Sequence, residues 1–187
     1  MIIAKKMFMY WIIIMFVITF ACSLTYLVTQ QALRLGANEQ PAQLAVDTAL
    51  KLQNGKNPAS IVQGDTVDLS KSMDTFVMIY DHNKNLQASS GMINGSKPSY
   101  PIGVLANTAR NGEERVTWQP QNGLRFATVV LKYDNGYIVA GRSLHETENL
   151  IDAIGKLVLL AWAACLLFST IALVIVYSFV KKYLKQS

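Results

Sequence analysis

Two stretches of this chain, residues 7–28 and 157–180, carry no Asp, Glu, Lys, Arg or His. Each exceeds the roughly 20 residues that a helix needs to cross about 30 Å of hydrocarbon, and a helix satisfies its own backbone hydrogen bonds there. Between them the pattern changes repeatedly. Residues 33–52 place apolar side chains at helical spacing, but Gly36, Asn38 and Pro41 interrupt the run. The interruption predicts a break and then a second helix with Pro41 in its first turn. Leu44, Ala45, Thr48, Ala49 and Leu52 give that helix one largely apolar face, and Asn54-Gly55 ends it. Residues 56–74, rich in Gly, Asp and Ser, read as a loop.

The pattern then turns to strands. Residues 75–80 (TFVMIY) are β-branched, aromatic and apolar, 81–85 read as a turn, and 86–90 as a returning strand. A loop with Asn94-Gly95 and two prolines leads to a short helix over 102–110, closed by Asn111-Gly112. Three more strands are expected over 114–119, 124–133 and 137–142. Asn122-Gly123 and Asn135-Gly136 join them, a pair that tolerates the positive φ of tight hairpins. Ser143 and Glu146 then have the S-x-x-E spacing of a capping box, predicting a helix that runs unbroken into the second apolar stretch. Leu144, Ile151 and Val158 recur on it every seven residues, a seam able to pair with a second copy to form a homodimer. An amphipathic helix lying on its own domain accounts for the same spacing.

Charge placement orients the two stretches. Lys5 and Lys6 precede the first, and Lys181, Lys182 and Lys185 follow the second. These five match the net charge of +5, and all 12 acidic residues lie between the stretches, balanced by the remaining basic ones. Lysines beside span ends favour the cytoplasmic side. The expected organisation is therefore a cytoplasmic N-terminus (1–6), a first span (7–28), an extracytoplasmic domain (29–156), a second span (157–180) and a cytoplasmic tail (181–187), in the plasma membrane. The basic balance thus reports topology and contact with the lipid bilayer, and no nucleic-acid partner is expected. A cleaved signal peptide is disfavoured, because the first apolar stretch is longer than the 7–15 residues of such a core and lacks a small-x-small site. Thr19-Phe20-Ala21 before Cys22 departs from a lipoprotein signal. Both cysteines, Cys22 and Cys165, fall within the spans, so the central domain must be held by its own core.

Candidate chemistry is sparse. Asp81, Asn83 and Asn85 have the spacing that opens a calcium loop, but Leu86 stands where the loop needs Gly and Met92 where it needs Glu, which favours a hairpin turn. His82 and His145 have no cysteine near them in the sequence, fewer ligands than a protein-only zinc site takes. Ser72-Met73 matches half of a membrane signal-peptidase pair without its lysine-bearing partner, and no G-x-S-x-G, H-E-x-x-H or P-loop is present. Asn94-Gly95-Ser96 is a glycosylation sequon that matters only in a eukaryote. Neither an enzyme nor a cofactor is expected.

The stretches FVMIYDHNKNLQASSG (76–91) and GYIVAGRSLHETE (136–148) carry a likeness. With the order helix, two strands, helix, three strands and exit helix, they resemble the extracytoplasmic PAS-like, or single Cache, sensor domains of bacterial membrane sensor histidine kinases and chemoreceptors. The resemblance implies two transmembrane helices flanking an α+β domain with a five-stranded antiparallel sheet and flanking helices. It also implies a small extracellular ligand held between the sheet and the loop and helix before the third strand. The matching positions are Tyr80, Tyr100, Trp118 and Arg125, with Arg125 able to pair with a carboxylate. The residues equally allow Trp118 and the tyrosines to fill the core while Arg125 faces water. Those receptors continue into a linker and a kinase or signalling domain, whereas residues 181–187 follow the second span here, so signal transduction is expected to pass through a membrane kinase or transporter partner. The other expectation is a structural or accessory subunit of a membrane complex that senses nothing.

Extraction of the full chain should require detergent, and protease added to intact cells should cut within residues 29–156 while sparing both tails. A protected middle with accessible tails would reverse the orientation.

Overall fold

The computed structural model describes the backbone of residues 2–64 and 66–186 and the side chains of 5–64 and 66–182. They fall into two compact units, one of Met1–Ala32 with Leu150–Ser187 and the other Leu33–Asn149. In chain order the elements are α1 (Ile2–Gly36), α2 (Glu39–Gln53), α3 (Pro58–Val62), β1 (Val67–Asp68), β2 (Phe76–Asp81), β3 (Leu86–Ser89) and β4 (Gly91–Met92). There follow α4 (Ile102–Asn111), β5 (Glu113–Gln121), β6 (Leu124–Tyr133), β7 (Gly136–Ser143) and α5 (His145–Gln186).

The unit Leu33–Asn149 is built on a five-stranded antiparallel sheet in the order β3-β2-β7-β6-β5. β7 is its centre, bonded to β2 on one edge and β6 on the other, with Tyr137, Ile138, Val139 and Ala140 all buried. Strand alternation sends side chains to two different cores. On one face Phe76, Met78, Tyr80, Phe126, Val130, Tyr137 and Val139 pack with Trp118, Tyr100 and Leu105 of α4. On the other, Val77, Ile79, Ala88, Ile138 and Ala140 meet Ala45 and Ala49 of α2, which crosses β6 and β7. Alanines on both sides of that contact let helix and sheet backbones approach closely.

Most elements lie where the hydrophobic pattern places them. α1 breaks at Ala37-Asn38, Pro41 is buried in the first turn of α2, and Gly112 (φ 83°) ends α4 with its N–H on the Thr108 carbonyl. The five-stranded antiparallel sheet is present. Three features differ from expectation. The stretch 56–74 is not simply a loop: Asn57 caps α3 by accepting the Ala59 N–H at 2.9 Å, with Pro58 at the first helical position. β1 pairs in parallel with β4, a two-residue ladder too short to show any periodicity. The capping box is only half made: the Ser143 hydroxyl accepts the His145 N–H at 3.3 Å, but the Glu146 carboxylate accepts from Arg142 instead of the Ser143 backbone.

In the other unit, two helices long and apolar enough to cross a membrane pack side by side. The Trp162 indole N–H donates to the Thr19 hydroxyl at 3.0 Å, the Ser169 hydroxyl to Met15 Sδ at 3.7 Å, and Gly155 faces the Tyr26 ring. Contacts that advance along one helix while retreating along the other make the pair antiparallel. Phe16 is 73 % and Phe179 70 % exposed, unlike a core helix of a soluble protein.

Gly141 of β7 lies opposite Phe76, whose ring covers it; a Cβ there would come within 2.4 Å of Phe76 Cζ. Phe76 is fully buried and has nowhere to move. Gly141→Ala should therefore cost about 1–3 kcal/mol, as overpacking does, and Phe76→Ala about 3–5 kcal/mol. Thermal unfolding of the detergent-solubilised chain measures both, and a Gly141→Ala midpoint equal to wild type would show that the ring does not press on this strand.

Candidate functional site

Tyr80, Tyr100 and Trp118 come together on the α4 face of the sheet, as members of a packed core. Their exposures are 4 %, 2 % and 5 %. The Trp118 ring lies 5.2 Å from Tyr100 and 5.6 Å from Phe126, and Phe126 meets Phe76 edge to face at 5.4 Å. Such spacings are those of mutually attracting rings. The Tyr100 hydroxyl bonds Thr128 Oγ1 at 2.8 Å, and Thr128 donates onward to the Val116 carbonyl at 2.9 Å. Burial pushes the Tyr100 phenol up to about 12 and also raises Tyr80. Arg125 is apart from the three rings: it is half exposed on β6, and its guanidinium donates to the Glu148 carboxylate of α5.

A second, polar region lies on the opposite face, along α2. One cavity of about 450 Å³ is walled by Gln40, Gln43, Asp47, Met73, Asp74 and Arg142. Beside it a cavity of about 490 Å³ is walled by Thr48, Lys51, Thr66, Asp74, Thr75 and Ser90. They share Leu44, Asp74 and Thr75 and so form one trough. Gln40, Gln43, Asp47 and Lys51 are spaced by three or four residues, one stripe down the helix. Strand alternation puts Arg142 on this face with Ile138 and Ala140, and its Nη2 donates to Glu146 at 2.7 Å. Asp47, Lys51 and Asp74 have no ion-pair partner among the described residues, although Asp47 and Lys51 are one turn apart; Asp74 accepts from the Ser72 hydroxyl at 2.9 Å.

Thr48 in the trough wall is exceptional. Thr19, Thr25, Thr29, Thr108 and Thr170 each donate to the carbonyl four residues earlier in their helices, at 2.7–2.9 Å. Thr48 is 1 % exposed and its hydroxyl has no partner among the described residues. A buried hydroxyl left unsatisfied costs about 1–3 kcal/mol, and a threonine in a helix has two rotamers through which to find one. Sequence reasoning read α2 for its apolar face and passed over the polar stripe beside it. The stripe itself was visible, but the partners Asp74 and Arg142 come from distant segments.

The turn after β2 uses its acidic residue internally. Asp81 accepts from the Asn85 N–H (2.8 Å), the Asn85 side-chain amide (3.1 Å) and Gln87 (3.0 Å). The Asn85 backbone bond, first among these, holds the carboxyl below its ordinary range. Lys84 takes positive φ (66°) to close the turn. All of these oxygens serve the hairpin. Comparison with known proteins finds no match to a protein family, to a curated protein or to a solved structure.

Tyr100 makes stability depend on pH at the alkaline end. Its phenol ordinarily titrates at 10.0 and is pushed up to about 12 in the fold, so the folded state holds the proton more tightly than the unfolded. The stabilisation is complete below pH 10 and is lost as pH rises through 12. Absorbance titration should show a late-ionising phenolate that Tyr100→Phe removes, and the fall in unfolding temperature over this range should be smaller in that variant. Ionisation of every tyrosine near its ordinary value would contradict the packed environment.

Proposed function

We propose that the chain is a two-pass protein of the bacterial plasma membrane, both termini cytoplasmic, whose outer domain senses an extracytoplasmic molecule and reports it through α5 to a membrane partner. Lysine placement supports the orientation, and the order helix, two strands, short helix, three strands, exit helix supports the likeness to PAS-like sensors. Fold likeness alone carries no function.

One local arrangement carries the proposal. β7, the central strand, ends at Ser143, and α5 begins at His145, leaving only Leu144 between. The Leu144 N–H donates to the Arg125 carbonyl at 2.8 Å, so the sheet's ladder continues to the helix threshold. Two ion pairs then fix the helix's first turns to the sheet: Arg142 of β7 with Glu146, and Arg125 of β6 with Glu148. A displacement of β6 against β7 therefore strains the two pairs at the start of a 42-residue helix. Arg125 has a role here other than binding a ligand carboxylate.

A second function, an accessory subunit with no small ligand, is favoured by the aromatic core, since Tyr80, Tyr100 and Trp118 are spent on packing. The two are separated by whether the sheet drives α5. In a chain with Cys22 and Cys165 replaced by serine, thiol labelling of Asp152→Cys in membrane vesicles should change at least threefold when Arg125 and Arg142 are both changed to alanine. The Arg115→Ala control on β5 should leave it unchanged. Equal labelling in all three would remove the signalling role and leave the accessory one.

A further inference from the structure

The two apolar helices carry their lysines at one end. Trp162 on Thr19 and Ser169 on Met15 set the register of the antiparallel pair, which brings Lys5 and Lys6 of α1 level with the last turns of α5, where Lys181 and Lys182 lie. All four side chains are exposed. The sequence puts nothing anionic near them: residues 1–38 and 153–187 hold no Asp or Glu. The nearest, Glu39 and Asp152, lie about 45 Å away along the helices.

Below the lysines the helices part. A cavity of about 450 Å³ is walled by Met7, Trp11 and Ile14 of α1 and by Ala172, Leu173 and Val176 of α5. Lys6 stands on the same stripe of α1, since Tyr10 and Ile14 follow it at four-residue steps and both wall the groove. A separate observation points to a missing occupant. The Trp11 indole N–H is buried, and no described residue accepts it. A donor left without a partner in hydrocarbon is costly, because no water is there to replace one. Trp11 lies about 7.5 Å below Lys6 along α1, the side on which a phospholipid carries its ester carbonyls relative to its phosphate. A turn of the ring about χ2, a broad torsion, offers the N–H to the groove it walls.

We infer that this end of the helix pair binds one anionic phospholipid, its phosphate among Lys5, Lys6, Lys181 and Lys182, one acyl chain in the groove and an ester carbonyl on the Trp11 indole N–H. Charge selects the headgroup. A zwitterionic lipid brings its own ammonium into the field of four lysines, whereas an anionic one brings only the charge that this end of the chain lacks. The groove selects a lipid over a free anion, because its apolar walls give a soluble phosphate nothing to bind. The inference rests on the two-pass membrane reading and is independent of sensing by the central domain.

Native mass spectrometry of the full chain, released from micelles holding equal amounts of dioleoyl phosphatidylglycerol and dioleoyl phosphatidylcholine, tests the site. A one-lipid adduct should form, with phosphatidylglycerol favoured at least fivefold. Lys5→Gln combined with Lys6→Gln should lower that adduct at least threefold, and so should Ala172→Phe, which fills the groove and leaves the charge unchanged. Lys56→Gln combined with Lys97→Gln, an equal loss of charge on the central domain, should bind as wild type. No adduct, equal adducts of the two lipids, or a phosphatidylglycerol adduct undiminished in either the lysine or the groove variant would overturn the site. Should Ala172→Phe fail to fold, Trp11→Phe decides instead: a severalfold weaker adduct is expected, and unchanged binding counts against the site. A chain that stays in solution without detergent would remove the membrane reading itself, whereas equal adducts on a chain that needs detergent remove the site alone.

Discussion

β7 is hydrogen-bonded along both edges and buried on both faces, and nearly everything else in the domain answers to that constraint. A strand so placed can present neither a charge nor a polar side chain through its first six residues, and its sequence there, GYIVAG, offers none except the Tyr137 hydroxyl. Ala140 belongs to the buried cluster where β7 meets Ala45 and Ala49 of α2, which favours a small side chain, and Gly141 is smaller still because Phe76 lies across it. Only at Arg142 and Ser143 does the strand emerge. There the chain changes to helix within one residue, using the newly freed Arg142 to hold it.

Much of this architecture could be read from the residue order because it depends on local chemistry. Asn122-Gly123 and Asn135-Gly136 announce the hairpins of β5, β6 and β7, Gly112 announces the end of α4, and TFVMIY has no other good use than a buried strand. What stayed hidden depends on contacts between distant residues. The β1–β4 ladder joins Val67 to Gly91 through backbone groups alone, and Gly91 is small because the Leu69 side chain lies 3.0 Å from where its Cβ would be. The capping box is only half made because the Glu146 carboxylate pairs with the full positive charge of Arg142.

The aromatic set shows a related limit. Tyr80, Tyr100 and Trp118 were picked out by a pattern that does not distinguish a ring lining a cavity from a ring filling one. The choice is made by volume: Phe76, Phe126 and Leu105, each fully or almost fully buried, occupy the space between them. The α2 trough escaped notice for the converse reason. Asp74 and Arg142 are ordinary surface charges until β2 and β7 bring them beside α2, 27 and 95 positions after Asp47 in the chain.

The strengths of the interactions bear on whether such a domain can act as a switch. Side chains of Arg125, Arg142, Glu146 and Glu148 are all about a third to a half exposed, so each ion pair contributes no more than about 0–1 kcal/mol. Burial of a single large core side chain contributes about 1.5–3 kcal/mol. The sheet is thus much stiffer than its attachment to α5, and a perturbation that leaves the core intact can still release the helix. A ligand need favour the released state by no more than about 2 kcal/mol, the most that two such pairs contribute together, to offset them. A clamp made from buried pairs would demand several times that. Placing the arginines where β6 and β7 leave the core keeps the threshold within reach of a few hydrogen bonds to a small occupant, and Arg142 is one of the residues such an occupant would touch.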